Sequence, residues 1–233
     1  MSHSNNGPMV ERLRAFGLPL LAALLILAAS LWAFGQIVDE QIIEGETGTD
    51  ERLAEWLHGR ATDPLTDVFH VITWTGNFVT LLAVTLVAMA ILWYRRRRTD
   101  ATFVALAFLG GQVLSNAMKL GFRRERPFFP DPLATERTFS FPSGHALVSL
   151  AVYGSIALVV ARGISSPLRR AILLAGTALF VLAIGFSRLY LGVHFLSDVL
   201  AGFAAGTAWL ALLYVALELR SRYISRYLAS TND

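Results

Sequence analysis

Six uncharged, apolar runs alternate with polar segments along the chain. They cover residues 18–38, 71–94, 101–118, 146–161, 171–186 and 199–217. A membrane-spanning helix needs about 20 predominantly apolar residues, so each run is close to the length that crosses a bilayer core. The pattern predicts an all-α, polytopic membrane protein with six transmembrane helices in one bundle. Because little chain is left over, we expect residues 1–233 to form a single membrane-embedded domain.

The composition agrees with the membrane class. The chain is 55% hydrophobic and only 16% charged, which is more apolar than a soluble domain of this size. It contains no cysteine, which excludes disulfides, thiolate metal sites and a cysteine nucleophile. The first run contains Ala28-Ala29-Ser30, a possible signal-peptide cleavage site, but apolar residues continue through Val38. We therefore expect an uncleaved first helix.

The basic residues predict how the chain is oriented in the membrane. Counted from the N-terminus, the odd-numbered polar segments hold twelve of the twenty lysines and arginines: Arg12, Arg14, Arg95 to Arg98, Arg162, Arg169, Arg170, Arg220, Arg222 and Arg226. By the positive-inside rule, both termini are expected in the cytoplasm, with the chain in the inner (plasma) membrane. The run from Arg95 to Arg98 is interpreted as part of this signal, and we expect no nucleic-acid partner.

The segment between the first two runs has an amphipathic pattern. Asp50 to Arg60 place Leu53, Trp56 and Leu57 at helical spacing. Tryptophan suits a water-lipid interface, so we expect a short helix lying on the membrane. A packing role is favoured over a role in substrate entry.

The first polar cluster follows the third apolar run. Lys119, Arg123, Arg124 and Arg126 lie within eight residues and are followed by Pro127. One cation at a helix C-terminus is explained by the helix dipole or by snorkelling. With both termini in the cytoplasm, this segment faces outward, where lysine and arginine are usually less frequent. Four cations there are better explained by a bound anion, since arginine makes bidentate contacts to phosphate oxygens.

The second cluster precedes the fourth apolar run and reads Phe141-Pro-Ser-Gly-His145. Ser143 is a natural N-cap, and Gly144 lets a ligand approach the free N–H groups of a helix start. Capping alone gives no reason for His145 in the first turn of a membrane helix, where ionisable groups are costly. His145 is therefore a candidate proton donor to a leaving oxygen.

The third cluster joins the last two runs and contains Arg188, His194 and Asp198. At a spacing of four the carboxylate can accept from the imidazole and fix its tautomer, which leaves the other nitrogen as a nucleophile or base. The same pair could instead stabilise a helix start. Two histidines and Asp198 could also ligate zinc, but the cations Lys119, Arg126 and Arg188 favour an anion.

Other features carry no functional assignment. His3, His58 and His70 lack charged partners at useful spacing and are interpreted as incidental. The oligomeric state is open, because the helix glycines, including Gly110-Gly111 and Gly202, could pack within the chain or between chains.

The three clusters resemble, at every fixed position, the signature motifs of the type 2 phosphatidic acid phosphatases, which are membrane lipid phosphate phosphatases. The resemblance implies that phosphate is bound by Lys119, Arg126, Ser143, Gly144 and Arg188. It also implies that His194 attacks phosphorus to give a phosphohistidine, that Asp198 orients His194, and that His145 protonates the departing group. It implies neither a metal nor another cofactor. The orientation predicted from the basic residues places the active site at the outer face of the membrane.

The motifs bind the phosphate group that all candidate substrates share. Undecaprenyl pyrophosphate, phosphatidylglycerophosphate and phosphatidic acid all fit, and an outward site favours the polyprenyl pyrophosphate. Two alternatives stay open: a lipid phosphotransferase that uses the same histidine, and a non-enzymatic membrane lipid-binding protein. The vanadium haloperoxidases have a similar anion site but are soluble, which six apolar runs argue against.

Overall fold

The computed structural model describes residues 7–45 and 47–230, with side chains for 17–45 and 47–220. Within these ranges the fold is helical and contains no strand. After α1 and a π-helical turn at Asp39–Ile43, seven further helices follow. The bounds are α1 Gly7–Val38, α2 Gly48–His58, α3 Asp63–Trp74, α4 Phe78–Tyr94, α5 Arg98–Phe122, α6 Gly144–Ala161, α7 Pro167–Tyr190 and α8 Leu196–Ser230. His3 and the side chains of Arg12, Arg14, Arg222 and Arg226 lie outside the described part.

The helices bear out the predicted class. In the described residues, five helical stretches are long and apolar enough to cross a membrane: Gly17–Ile43, Arg98–Phe122, Gly144–Ala161, Pro167–Tyr190 and Leu196–Arg220. A sixth span results when α3 and α4, which are bent by 44°, are counted together. The predicted all-α, polytopic membrane fold is confirmed.

The prediction of one continuous helix over residues 71–94 is wrong. Helix α3 ends at Trp74 and α4 begins at Phe78. The side-chain oxygen of Asn77 accepts a hydrogen bond from the backbone N–H of Thr80 at 2.8 Å and caps the new helix. An asparagine N-cap satisfies a free N–H of a helix start, and this contact stabilises the beginning of α4 within the apolar run.

Gly76 lies in this break and lets the backbone come close to both α6 and α7. A Cβ atom there would lie 2.5 Å from the side chain of Ile184 and 3.1 Å from the ring of His145. No larger residue fits without displacing these neighbours. The break therefore places the start of α4 directly beside the second motif.

Helix α6 is the centre of the bundle and packs against α4, α5, α7 and α8. The close approach of α8 depends on Gly202 and Gly206, whose Cα atoms face the backbone of α6. Gly110 of α5 lies against Trp209 of α8. The glycines that left the oligomeric state open therefore pack within the chain.

The predicted amphipathic segment forms α2, and it packs against the bundle. Leu57 is buried, and Leu53 lies beside it against Ala146, Leu189 and Val199. Trp56 on the opposite face is exposed, with the guanidinium of Arg60 4.2 Å from its ring centroid. The expected short helix is confirmed, and its apolar face packs against the bundle.

The two ends of the bundle have different polar contacts. At one end the carboxylate of Asp100 binds Arg97 at 2.7 Å and Arg162 at 3.0 Å, which joins the α4–α5 and α6–α7 connections. At the other end lie the long segment 123–143 and the short α7–α8 connection, which meet where Ser143 donates its N–H to the carbonyl of Asp198 at 2.9 Å. All three motif clusters thus come together at one end.

We expect Gly202→Ala to destabilise the bundle, because the added Cβ would lie 2.6 Å from the carbonyl oxygen of Ser143. Overpacking of this kind costs about 1–3 kcal/mol. Gly176→Ala on α7 is the matched control, since a Cβ there meets nothing within 4 Å. Thermal unfolding in detergent should show a lower Tm only for the first variant. Equal Tm values would contradict the described α6–α8 packing.

Candidate active site

A pocket of about 190 Å³ lies where the three clusters meet. This central pocket is lined by residues from each cluster, among them Lys119, Arg126, Gly144, His145 and His194. It adjoins a larger vestibule of about 700 Å³ that shares Lys119, Arg126 and Glu136 with it. Pockets that hold whole drug-sized ligands are roughly 300–1,000 Å³, so the central pocket fits a small polar headgroup.

His194 and Asp198 are in contact, as their spacing predicts. Nδ1 of His194 lies 3.3 Å from Oδ2 of Asp198, and both side chains are buried. Ser140 also donates its hydroxyl to Oδ2, and the backbone N–H of Phe195 donates to the same oxygen at 2.8 Å. In the last contact the side chain at N3 of α8 accepts from the N–H of the N-cap residue, so the start of the helix helps to fix the carboxylate.

Burial and nearby cations favour the neutral form of His194. Burial, together with the positive charges of Arg126, Arg188 and Lys119, holds the pKa of His194 well below its usual range. With Nδ1 facing the carboxylate, the free lone pair lies on Nε2. In this structure an N–H of Arg126 lies 3.2 Å from Nε2, and the neutral imidazole can act as a nucleophile once that N–H turns to a bound oxyanion.

Arg126 connects this histidine to the 123–143 segment. Its Nη1 lies 3.2 Å from Nε2 of His194 and donates to the carbonyl of Val193 at 2.5 Å. Its Nε and Nη2 donate to the carbonyls of Thr138 and Phe139 and to the Thr138 hydroxyl. All five N–H groups therefore have partners, and a bound oxyanion has to share or replace some of them.

Arg188, in the last turn of α7, is paired with a carboxylate that the sequence analysis did not single out. Its Nη2 donates to Oε1 of Glu136 at 2.5 Å, and Nη1 donates to the hydroxyl of Thr73 at 2.7 Å. Its buried Nε has no hydrogen-bond partner. Glu136 lines the central pocket, so its carboxylate faces the cations that an anion would meet.

Lys119 and the start of α6 offer further donors to the pocket. Lys119 is buried and uses one N–H to contact the carbonyl of Phe139. Ser143 stands at the N-cap position, but its buried hydroxyl makes no capping bond and has no partner. A Cβ at Gly144 would lie 2.9 Å from the Ser115 hydroxyl, so glycine keeps the helix start open. Ordinary capping therefore does not account for Ser143.

Arg124 is turned away from the central pocket and lies between two carboxylates. Its Nη1 donates to Oδ1 of Asp198 at 2.8 Å, and its Nη2 donates to Oδ2 of Asp50 on α2 at 2.9 Å. The Ser197 hydroxyl accepts from Nη1 at 2.6 Å and donates to Asp50. The sequence placed Arg124 in the basic cluster but gave no reason to separate it from Arg126.

His58, which has no charged partner at useful spacing along the chain, has a distant one in the fold. Its Nε2 lies 3.0 Å from Oδ1 of Asp131, and its ring stacks on Phe129 with a centroid separation of 4.0 Å. The partners are more than 70 positions apart, so their spacing along the chain carried no signal. These contacts tie α2 to the segment 123–143.

We expect Glu136→Gln to increase the affinity for inorganic phosphate, because it removes the negative charge that competes for Arg188. The carboxylate of Glu136 and the phosphate are both negative, so removing the carboxylate charge should lower the Kd for phosphate about three- to tenfold. Glu125→Gln, which alters only the vestibule, is the control. Phosphate-dependent shifts in Tm measure both variants. Weaker binding by Glu136→Gln would show instead that the carboxylate holds Arg188 in place.

Comparison with known proteins identifies relatives of the whole site. A family model described as the PAP2 superfamily matches residues 100–222, which include all three clusters. Phosphatidylglycerophosphatase B of Bacillus subtilis is 34% identical over 145 residues, which are 61% of this chain and 70% of that protein. Undecaprenyl-diphosphatase of Sulfolobus acidocaldarius is 34% identical over 136 residues, which are 56% of this chain and 61% of that protein.

A solved structure supports the same relationship. The crystal structure of a transmembrane PAP2-type phosphatidylglycerolphosphate phosphatase from Bacillus subtilis superposes with a TM-score of 0.74 at 28% sequence identity. The match covers 81% of this chain and 94% of the other. The predicted enzyme class, a phosphatase, is confirmed by these relatives. Since the family model covers more than half of the sequence, the chain belongs to the PAP2 superfamily.

Proposed function

We propose that this protein is a lipid phosphate phosphatase that works through a phosphohistidine intermediate on His194. The observation that carries the proposal is the orientation of the imidazole. Its Nδ1 faces the Asp198 carboxylate at 3.3 Å, and its Nε2 lies at a cationic pocket. This arrangement presents a neutral nucleophile to an anionic substrate.

In the first step, Nε2 attacks phosphorus, and the bond between phosphorus and the leaving oxygen breaks. The leaving oxygen takes a proton from His145, which lines the same pocket in the first turn of α6. The positive charge that develops on His194 is stabilised by Asp198. Negative charge on the transferring phosphoryl oxygens is stabilised by Lys119, Arg188 and the free N–H groups of the α6 start.

In the second step, water attacks the phosphohistidine and the P–N bond breaks. The water gives a proton to His145, which returns to the form that it had at the start. Inorganic phosphate leaves, and His194 is neutral again. The proposal needs no metal or other cofactor, because Lys119, Arg126 and Arg188 supply the charge neutralisation that a metal ion gives in other phosphatases.

The shape of the site supports a substrate whose chains stay in the bilayer. The central pocket has room for the headgroup, and the adjoining vestibule reaches Leu120, a largely exposed residue in the last turn of α5. A lipid can therefore approach from the side of the bundle. Undecaprenyl pyrophosphate, phosphatidylglycerophosphate and phosphatidic acid are the proposed substrates, and two of them correspond to the names of the relatives.

The proposed orientation places the site outside the cytoplasm. Arg97 and Arg162 lie together at the end opposite the motif clusters, and the positive-inside rule assigns that end to the cytoplasm. Both termini are then cytoplasmic, in a single membrane-embedded domain. Because the site faces outward, we rank the polyprenyl pyrophosphate first and expect overlapping activity on the other two lipids.

Replacing the nucleophile is expected to abolish catalysis. His194→Gln should reduce phosphate release by at least about 10³-fold in the presence of EDTA, because the variant lacks the imidazole nitrogen that attacks phosphorus. His70→Gln, on the exposed face of α3, is the control and should retain activity. The assay uses detergent-purified protein and all three lipids. Activity that survives in His194→Gln would refute the site assignment. If the wild type transfers the phosphoryl group to another alcohol and releases no inorganic phosphate, the enzyme is a phosphotransferase.

The lowered pKa of His194 sets the pH dependence. The nucleophile has to be neutral, and a depressed pKa keeps it neutral until the pH falls well below the ordinary value of about 6.5. The acidic limb of kcat/KM should therefore lie below that pH. A limb at or above pH 6.5 in the pH profile would contradict the described burial of His194 among cations.

A further inference from the structure

Arg124 makes contacts that phosphate binding does not explain. Its guanidinium is nearly buried and lies between the Asp198 carboxylate of α8 and the Asp50 carboxylate of α2. Asp50 is also buried, although it belongs to a short helix at the edge of the bundle. Charges of this kind are costly to bury, so the arrangement calls for a functional reason.

We propose that Asp50 and Arg124 form a positioning pair that holds the Asp198 carboxylate in the orientation that His194 requires. The inference rests on the proposed phosphatase function. In this arrangement Arg124 binds Oδ1, which leaves Oδ2 to face Nδ1 of His194. Neither Arg124 nor Asp50 lines the central pocket.

The contacts of Asp198 show what the pair adds. Oδ2 receives hydrogen bonds from Ser140 and from the backbone of Phe195, in addition to its contact with His194. Oδ1 has one recorded donor in the described part of the chain, which is Arg124 at 2.8 Å. Without Arg124, Oδ1 has no hydrogen bond from the described residues. Rotation of the carboxylate about χ2 is then restrained only by the contacts of Oδ2.

Asp50 fixes the guanidinium from the other side. Its Oδ2 accepts from Arg124 at 2.9 Å, and its Oδ1 accepts from the backbone N–H of Ser197 at 3.0 Å. Ser197 is the neighbour of Asp198, so α2 is bonded directly to the turn that carries the catalytic carboxylate. Asp50 also balances the charge of Arg124, which limits the positive field at His194.

The planar fork of an arginine is what this position requires. Nη1 and Nη2 reach the two carboxylates at the same time, while the phenyl ring of Phe195 lies 4.6 Å from the guanidinium carbon. A lysine ammonium is a compact charge on a flexible stem and does not reproduce this geometry. Arg124→Lys therefore keeps the charge but loses the two-sided contact.

The alternative is that Arg124 binds substrate phosphate directly, since it lines the vestibule. The two roles differ in what they change. A phosphate ligand affects KM and the affinity for inorganic phosphate, whereas a positioning pair affects kcat and the titration of His194. The other polar groups around His194 are the same in all variants: Lys119, Arg126, Glu136, Ser140, His145 and Arg188.

The test compares Arg124→Lys, Arg124→Gln and Asp50→Asn with the wild type in lipid phosphatase assays and in phosphate-dependent Tm shifts. We expect kcat to fall about 10- to 100-fold in the Arg124 variants, with the phosphate-dependent shift unchanged. Arg52→Gln and Glu55→Gln, at exposed positions of α2, are the controls. The double variant Asp50→Asn/Arg124→Gln removes both charges together and serves if either single variant fails to fold.

The pH profile separates positioning from simple loss of stability. Arg124→Gln removes a positive charge near His194, so the imidazole protonates more easily and the acidic limb of kcat/KM moves to higher pH. Asp50→Asn removes a negative charge and moves the limb to lower pH. We expect shifts of about half a pH unit in opposite directions. A variant that only loses stability should not show pH shifts whose direction follows the charge removed.

Each outcome has a clear meaning. Reduced kcat with unchanged phosphate affinity and opposite pH shifts supports the positioning pair. Unchanged kcat and pH profiles, or weaker phosphate binding at retained kcat, overturn it and assign Arg124 to the scaffold or to the substrate. A wild-type protein that releases phosphate from none of the lipids refutes the proposed function itself, which the variants alone cannot do.

Discussion

The contact between Nδ1 of His194 and Oδ2 of Asp198 is the interaction on which the site depends. Both groups are almost fully removed from solvent, and an unpaired charge in such a buried position is very costly. The carboxylate is tolerated because Ser140, the Phe195 backbone and Arg124 all donate to it. The cap of α8 and the 123–143 segment are thereby held together, and the same bonds that complete the fold also orient the imidazole.

Much of this arrangement follows from local sequence. The apolar runs predict the spanning helices because a bilayer excludes charge, and the motif clusters fall at alternate loops, which lie at one end of an antiparallel bundle. The pairing of His194 with Asp198 follows from a spacing of four. The assignment of Ser143 and Gly144 to a helix start also follows, since α6 begins at Gly144.

What the sequence does not reveal depends on contacts between distant segments. Asp50 and Arg124 are 74 positions apart, and Glu136 and Arg188 are 52 apart, so no periodicity connects them. The break at Gly76 is also hidden, because the run has ordinary length and polar residues in other runs, such as Asn116, stay within one helix. In the two ion pairs, each charged residue meets its partner only after the helices have packed against one another.

The central claim is that the phosphoryl group passes through His194, and the most direct measurement is to trap it there. Detergent-purified protein is mixed with lipid carrying a radiolabelled terminal phosphate and quenched rapidly in base, where a phosphohistidine survives and a lipid phosphate is extracted. The account predicts label on the peptide that contains His194, lost on treatment with acid and absent from His194→Gln. Turnover of the lipid with no labelled protein at any quench time, or label on another residue, would contradict it.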